Sequence, residues 1–137
     1  MQRWSALVEL LPKQWGTDNR AFHQLFTSMF LPDGDAGQNR FFNEMQRQSA
    51  SAEIAVQTTL SISEVDVTEE ARSLHVPTLV MHRSDDLVIS CDQGREIATT
   101  IPGARLVQKK GANHWIHAEV GAFEEIVQEI DSFITSG

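Results

Sequence analysis

The chain lacks a second cysteine. Cys91 stands alone among 137 residues, so no disulfide can form within the chain, and a reducing compartment is expected. It also lacks a basic excess: eleven Lys and Arg face nineteen Asp and Glu, a formal charge of −8. Affinity for nucleic acid rests largely on neutralised phosphates, and the longest basic run is Lys109-Lys110. No nucleic-acid partner is therefore expected. No apolar run approaches the roughly 18–20 residues of a membrane span. The opening Met1-Gln2-Arg3-Trp4 lacks the apolar stretch of a secretory signal. Internal repeats and low-complexity tracts are absent as well. The expectation is an acidic, soluble, cytoplasmic protein with no membrane partner.

What is present suits one domain over residues 1–137, with two halves meeting near Val76-Pro77. The first half, residues 1–75, reads as helices. Leu7, Val8, Leu10 and Leu11 mark one helix, expected to stop at Pro12. Asp18 or Asn19 can cap a second, whose Phe22, Leu25, Phe26, Met29 and Phe30 recur at spacings of three and four. Leu31-Pro32-Asp33-Gly34-Asp35 is a breaker. A third helix places Phe41, Phe42 and Met45 on one side. A fourth, capped by Ser49 or Ser51, carries Ile54, Thr58 and Ile62. Thr68 reads as the cap of a short fifth, with Glu69 and Glu70 in its first turn. That helix ends before Val76-Pro77, because the residue preceding proline avoids the α region.

The second half, residues 76–137, changes period. Thr78-Leu79-Val80-Met81-His82 is a short, nearly continuous apolar run, the mark of a strand buried on both faces. Ser90 and Gln93 fit a capping box for the helix that follows. Ile101-Pro102-Gly103 ends that helix, and Ala104 to Gln108 forms a second strand. A last helix carries Phe123, Ile126, Val127, Ile130, Phe133 and Ile134. Strand–helix–strand connectivity makes the two strands parallel. Asp86 follows the first strand and His114 the second, so both loops open at one edge of the sheet. That is the edge where open α/β sheets bind ligands.

A carboxylate beside an imidazole can hold its Nδ1–H and leave Nε2 as a general base. On spacing alone, Asp86 and His114 are either such a pair or an ordinary surface hydrogen bond.

A wider pattern surrounds them. Val76-Pro77-Thr78-Leu79-Val80-Met81-His82, then Asp85-Asp86, Gln93-Gly94-Arg95-Glu96-Ile97-Ala98, Ile101-Pro102-Gly103-Ala104-Arg105 and Gly111-Ala112-Asn113-His114 resemble the C-terminal part of an α/β-hydrolase. In that family the last two core strands carry the acid and the histidine of the catalytic triad. The acid loop commonly reads His-Gly-x-x-Asp-x-x-Val-Pro. Here it runs His82-Arg83-Ser84-Asp85-Asp86-Leu87-Val88-Ile89-Ser90. The resemblance implies Asp86 as the acid, with Asp85 as the alternative, and His114 as the base. Arg83 stands where the pattern has glycine, and Ser90 where it has proline. Upstream, Trp15-Gly16-Thr17, Met29-Phe30-Leu31-Pro32 and Ser49-Ala50-Ser51 resemble the helical cap of one hydrolase branch, often found fused to or beside nucleotide cyclases and transcriptional regulators.

The resemblance implies a partial α/β-hydrolase fold. A cap-like helical part is followed by strand–helix–strand–helix. The short parallel sheet is expected to be completed by dimerisation. A whole member of the family has a Gly-x-Ser-x-Gly elbow, and none of the eight glycines here flanks a serine in that pattern. The chain reads as beginning after the family's sixth strand. Asp86 and His114 are then a triad remnant without its nucleophile. The strand Thr78 to His82 would lack a neighbour, and a two-fold homodimer pairing it antiparallel with its copy would repair the edge.

Other residues receive plainer readings. Ser84 shows no elbow around it. Cys91, near a helix start, reads as a small packed residue. His23, His75 and His82 read as packing or surface residues. His114 and His117 have a His-x-x-His spacing without a third ligand, so no metal and no cofactor are expected. Phe22, Phe26, Phe30, Phe41 and Phe42 read as a helical core in preference to a lipophilic pocket. Glu124, Glu125 and Glu129 read as a solvated face, and Gly94 as a site of close helix–sheet packing.

Two functions follow as expectations. One is a homodimeric, hydrolase-derived module without serine-hydrolase activity of its own, holding a small apolar or ester ligand between cap and sheet. The other is part of a Ser–His–Asp ester or acyl hydrolase, active when a further segment supplies the serine.

Overall fold

The computed structural model describes residues 2–116 and 119–136, with side chains in the first helix from Val8 onward. It forms two compact units, 1–66 and 67–137. The division falls earlier than Val76-Pro77, because the short helix after Val67 packs with the second unit.

The first unit holds four helices: α1 (Gln2–Gln14), α2 (Arg20–Phe30), α3 (Ala36–Ser49) and α4 (Ala52–Ser63). Pro12 does not end α1; it lies inside it. Proline gives up its own bond to the carbonyl four residues back and crowds that carbonyl, here close to the end of the helix. The next turn is still closed by the Trp15 N–H donating to the Leu11 carbonyl at 3.0 Å. Asn19, not Asp18, caps α2, accepting from the Phe22 N–H at 3.2 Å. Asp35 and Gln38 close a capping box on α3. Ser51, not Ser49, caps α4.

Helix α1 packs on α4, and α2 on α3. Phe22, Phe26, Met29, Leu31 and Phe42 are buried, and Trp15 meets Phe26 edge-on at 5.5 Å between ring centres. Phe26 stacks on Phe30 at 5.0 Å, and Phe30 meets Phe42 at 5.5 Å. Several expected core positions face outward instead: Leu25, Phe41, Met45, Ile54 and Ile62 are exposed. On α2 and α3 the buried stripe admits Thr27 and Gln46, which bond to each other across the helices, and so rotates away from Leu25 and Phe41. On α4 apolar residues surround the axis, so periodicity selects no face, and Ala55 is the buried one.

The second unit runs α5 (Thr68–Arg72), β1 (Leu79–Arg83), α6 (Cys91–Thr100), β2 (Arg105–Lys109) and α7 (Ala122–Thr135). Val67, not Thr68, occupies the cap position of α5. Both strands start one residue later than their apolar runs. They pair in parallel, Leu79 opposite Arg105 through Arg83 opposite Lys109. The ladder is bracketed by the Arg105 N–H on the Thr78 carbonyl and the Ser84 N–H on the Lys109 carbonyl, both 2.9 Å. Strand β1 is not buried on both faces: Leu79 to His82 are half-buried and Arg83 alone is buried. A two-stranded sheet covers its flanking groups only in part. For the same reason Phe123, Val127, Ile130 and Ile134 of α7 stay exposed.

Helix α6 begins with the Ser90–Gln93 capping box and lies on β1 with Gly94 inward. Glu129 of α7 is not on a solvated face. It accepts from Lys109 and Arg105 of β2, each at 3.0 Å, and so ties α7 to the sheet. The Lys109 ammonium holds the Glu129 carboxyl below its ordinary range, and the Arg105 charge adds to the effect.

Candidate functional site

The parallel ladder ends at Arg83 and Lys109, and both following loops leave from the same edge. After β1 the chain turns within three residues, and Asp86 anchors the turn with its own side chain. Its Oδ1 accepts from the Val88 N–H at 2.8 Å and the Ile89 N–H at 3.1 Å. The carboxylate is thereby fixed, with 5% of its side chain exposed. The other oxygen, Oδ2, stands 2.7 Å from Nδ1 of His114. Nδ1 can reach it only as a donor, because a carboxylate oxygen accepts. Nε2 of His114 is then left with its lone pair, on a ring whose side chain is 37% exposed.

The two loops are also stitched by backbone. The Asp85 N–H donates to the Gly111 carbonyl at 3.1 Å. Asp85, the alternative acid, points elsewhere: its Oδ2 accepts from Ser84 Oγ at 2.8 Å, and both residues are exposed. Cys91 is buried, with Sγ 2.9 Å from the side-chain amide of Gln108. His82 donates from Nδ1 to the Arg83 carbonyl at 2.9 Å, and His23 from Nε2 to the Thr17 carbonyl at 2.9 Å. His75 is exposed, and His117 lies outside the described residues. Among the described residues no group of three His, Cys, Asp or Glu could hold a metal ion.

A half-open cleft of about 220 Å³ adjoins the pair. Asp86 and His114 line it, together with the apolar Met81, Ile89, Ile116 and Ile126 and the polar or charged His82, Arg83 and Lys109, so its walls are mixed. Of these, Arg83 stands where the family pattern has glycine. The Arg83 guanidinium bonds Glu119, which also accepts from Asn113 Nδ2 at 3.0 Å. Arg83 and Glu119 are 36 positions apart, and no local pattern signals such a pair.

No protein-family model matches the chain. Two curated proteins are similar over 70 residues: a non-heme chloroperoxidase, CPO-A1, of Kitasatospora aureofaciens at 36% identity and a non-heme haloperoxidase of Rhodococcus erythropolis at 34%. The matched segment is 50% of this chain and 26% of each relative. Among solved structures, an esterase of Exiguobacterium antarcticum superposes with a TM-score of 0.77 over 98% of this chain, at 18% identity. The esterase RhEst1 of Rhodococcus sp. ECU1013 gives 0.72 over 96%, at 22% identity. The chain spans 48% and 47% of those two proteins. A helical first part, a parallel strand–helix–strand–helix second part and these likenesses together make the chain a partial α/β-hydrolase fold.

Proposed function

We propose that this chain provides the acid and the base of a Ser–His–Asp ester or acyl hydrolase, with the serine supplied by a polypeptide segment outside these 137 residues. One observation carries the reading: Asp86 Oδ2 lies 2.7 Å from His114 Nδ1 while Asp86 Oδ1 is pinned by two backbone N–H groups. The likeness to two esterases supports it. In the proposed reaction His114 Nε2 takes the proton from the serine hydroxyl as its oxygen attacks the ester carbonyl. His114 then returns that proton to the departing alkoxide, and a water molecule repeats the sequence to release the acid. Asp86 holds the ring in the required tautomer throughout. The apolar part of the lining, Met81, Ile89, Ile116 and Ile126, suits a short acyl or alcohol group, since about 220 Å³ is below the usual size of a drug-sized site. By itself the chain, with no Gly-x-Ser-x-Gly, is expected to leave esters intact.

The test uses the purified chain. Short-chain p-nitrophenyl esters should show no turnover, and a fluorophosphonate probe no labelled serine. Nitrogen-15 NMR of the neutral imidazole should place the His114 proton on Nδ1. Ester turnover that His114→Ala abolishes would overturn the external-serine part. A ring protonated on Nε2 instead would overturn the base assignment.

A second reading is favoured by the sheet edge. Among the described residues β1 has one strand neighbour, β2. In a parallel ladder alternate residues face each side, so Leu79, Met81 and Arg83 turn their peptide groups away from β2. A two-fold homodimer pairing β1 antiparallel with its copy would give the Leu79 and Met81 peptide groups partners, with a small apolar molecule in the cleft. Cytoplasmic residence belongs to the same proposal, on the strength of the unpaired Cys91.

A further inference from the structure

We infer that Arg83 is a positioning residue that holds the His114 loop against the acid loop, an inference that rests on the acid–base reading above. Arg83 closes β1, three residues before Asp86, and its side chain is 10% exposed. Its guanidinium Nη2 bonds one oxygen of Glu119, and Glu119 gives its other oxygen to Nδ2 of Asn113. Asn113 is 1% exposed and precedes His114 in the chain. One carboxylate therefore joins the end of the acid strand to the residue beside the base.

The backbone of the second loop is shaped around the same guanidinium. Gly111 has φ +136°, and a Cβ there would stand 1.6 Å from Arg83 Nη2. Only glycine leaves room for the arginine and tolerates this dihedral. Its carbonyl accepts from the Asp85 N–H, so this close approach also sets the spacing of the two loops. Arg83 thus touches the His loop at Gly111 directly and reaches Asn113 through Glu119, bracketing the segment that presents His114.

A bare structural ion pair would affect stability alone. A positioning pair also affects which ring nitrogen of His114 carries the proton, because the Nδ1–H bond to Asp86 depends on loop placement. Nitrogen-15 NMR of the neutral His114 ring in the 137-residue chain reads this directly. In the parent chain the proton is expected on Nδ1, on the acid–base reading. In Arg83→Met the inference expects loss of the downfield Nδ1–H resonance and a mixture of both tautomers. The amide signals of the β1–β2 ladder should remain in place. Arg83→Lys keeps the charge but not the planar guanidinium that packs on Gly111, and is expected to restore the resonance in part. Glu119→Gln removes the shared carboxylate without touching β1. It should reproduce the Arg83→Met spectrum, and it replaces that variant should Arg83→Met not fold.

A folded Arg83→Met or Glu119→Gln chain with an unchanged Nδ1–H resonance overturns the inference. If the parent chain itself lacks the Nδ1 tautomer, the acid–base reading fails first. The two failures are therefore distinguishable.

Discussion

Gly94 lies against the ring of His82: a Cβ on Gly94 would stand 2.7 Å from His82 Cδ2 and 2.8 Å from Cγ. The helix after the acid loop is thus seated on the strand before it by the absence of one methyl group. Gly94→Ala forces the half-buried imidazole aside, an overpacking cost of about 1–3 kcal/mol. Alanine's better helix propensity offsets roughly 1 kcal/mol of that. A net loss of about 1 kcal/mol in urea unfolding is expected, and a more stable variant would show that the helix is free to lift.

Asp86 has two separable tasks, and two substitutions separate them. Asp86→Ala strands the N–H groups of Val88 and Ile89 and should cost about 2 kcal/mol of stability. Asp86→Asn can keep its Oδ1 on those donors, and then presents an amide NH₂ to His114 Nδ1. The ring must answer with a lone pair, so its proton should move to Nε2 and basicity at that nitrogen is lost. NMR showing the proton still on Nδ1 in Asp86→Asn would count against this division of labour.

The aromatic cluster of the first unit is a core by geometry, and truncation should follow burial. Phe26 is 9% exposed and touches Trp15, Phe22 and Phe30; Phe41 is 64% exposed. Phe26→Ala should cost about 3–5 kcal/mol. Phe41→Ala should stay within about 0.5 kcal/mol. Equal losses in calorimetry would mean that Phe41 is covered in solution.

The acid limb of the pH profile has an assignable contributor. Hydrogen bonds from Arg47 and then Gln48 bring the Glu44 carboxyl from an ordinary 4.5 down to about 2. A lowered folded value favours folding above the unfolded value, and the contribution fades as pH falls from 4.5 to about 2. Carbon-13 titration should place Glu44 near 2, and Arg47→Gln should return it toward 4.5. A midpoint near 4.5 in the parent chain would contradict the geometry.

The edge of β1 makes a prediction about mass. Sedimentation equilibrium should give twice 15.3 kDa for the isolated chain if β1 pairs with its copy. A single species at 15.3 kDa across the micromolar range would remove the homodimer reading.

Much of this architecture is legible in the sequence, for local reasons. The parallel pair follows from two short apolar runs around one capped helix, and Gly94 is readable as a contact point within that helix. Asp86 and His114 come together because each follows a strand at the same end of the sheet. The failures are non-local. Leu25 and Phe41 fit an apolar period, yet Thr27 and Gln46 hold the interior because they bond each other 19 residues apart. Glu129 sits within an acidic helix, yet two cations of β2 draw it inward. Arg83 and Glu119 find each other only once both loops are folded.

The polar seam between α2 and α3 has a consequence for how those helices may slide. Thr27 donates to Asn43 and accepts from Gln46 at 2.6 Å, while Asn43 reaches Gln24 at 3.1 Å. Greasy rings tolerate many alignments at similar energy; amides and hydroxyls do not. Shifting α3 by one turn would take the buried Gln46 amide off Thr27 and leave both interior groups without that mate. The aromatic residues supply cohesion, and this small ladder of amides works as a ratchet tooth that selects one alignment out of several.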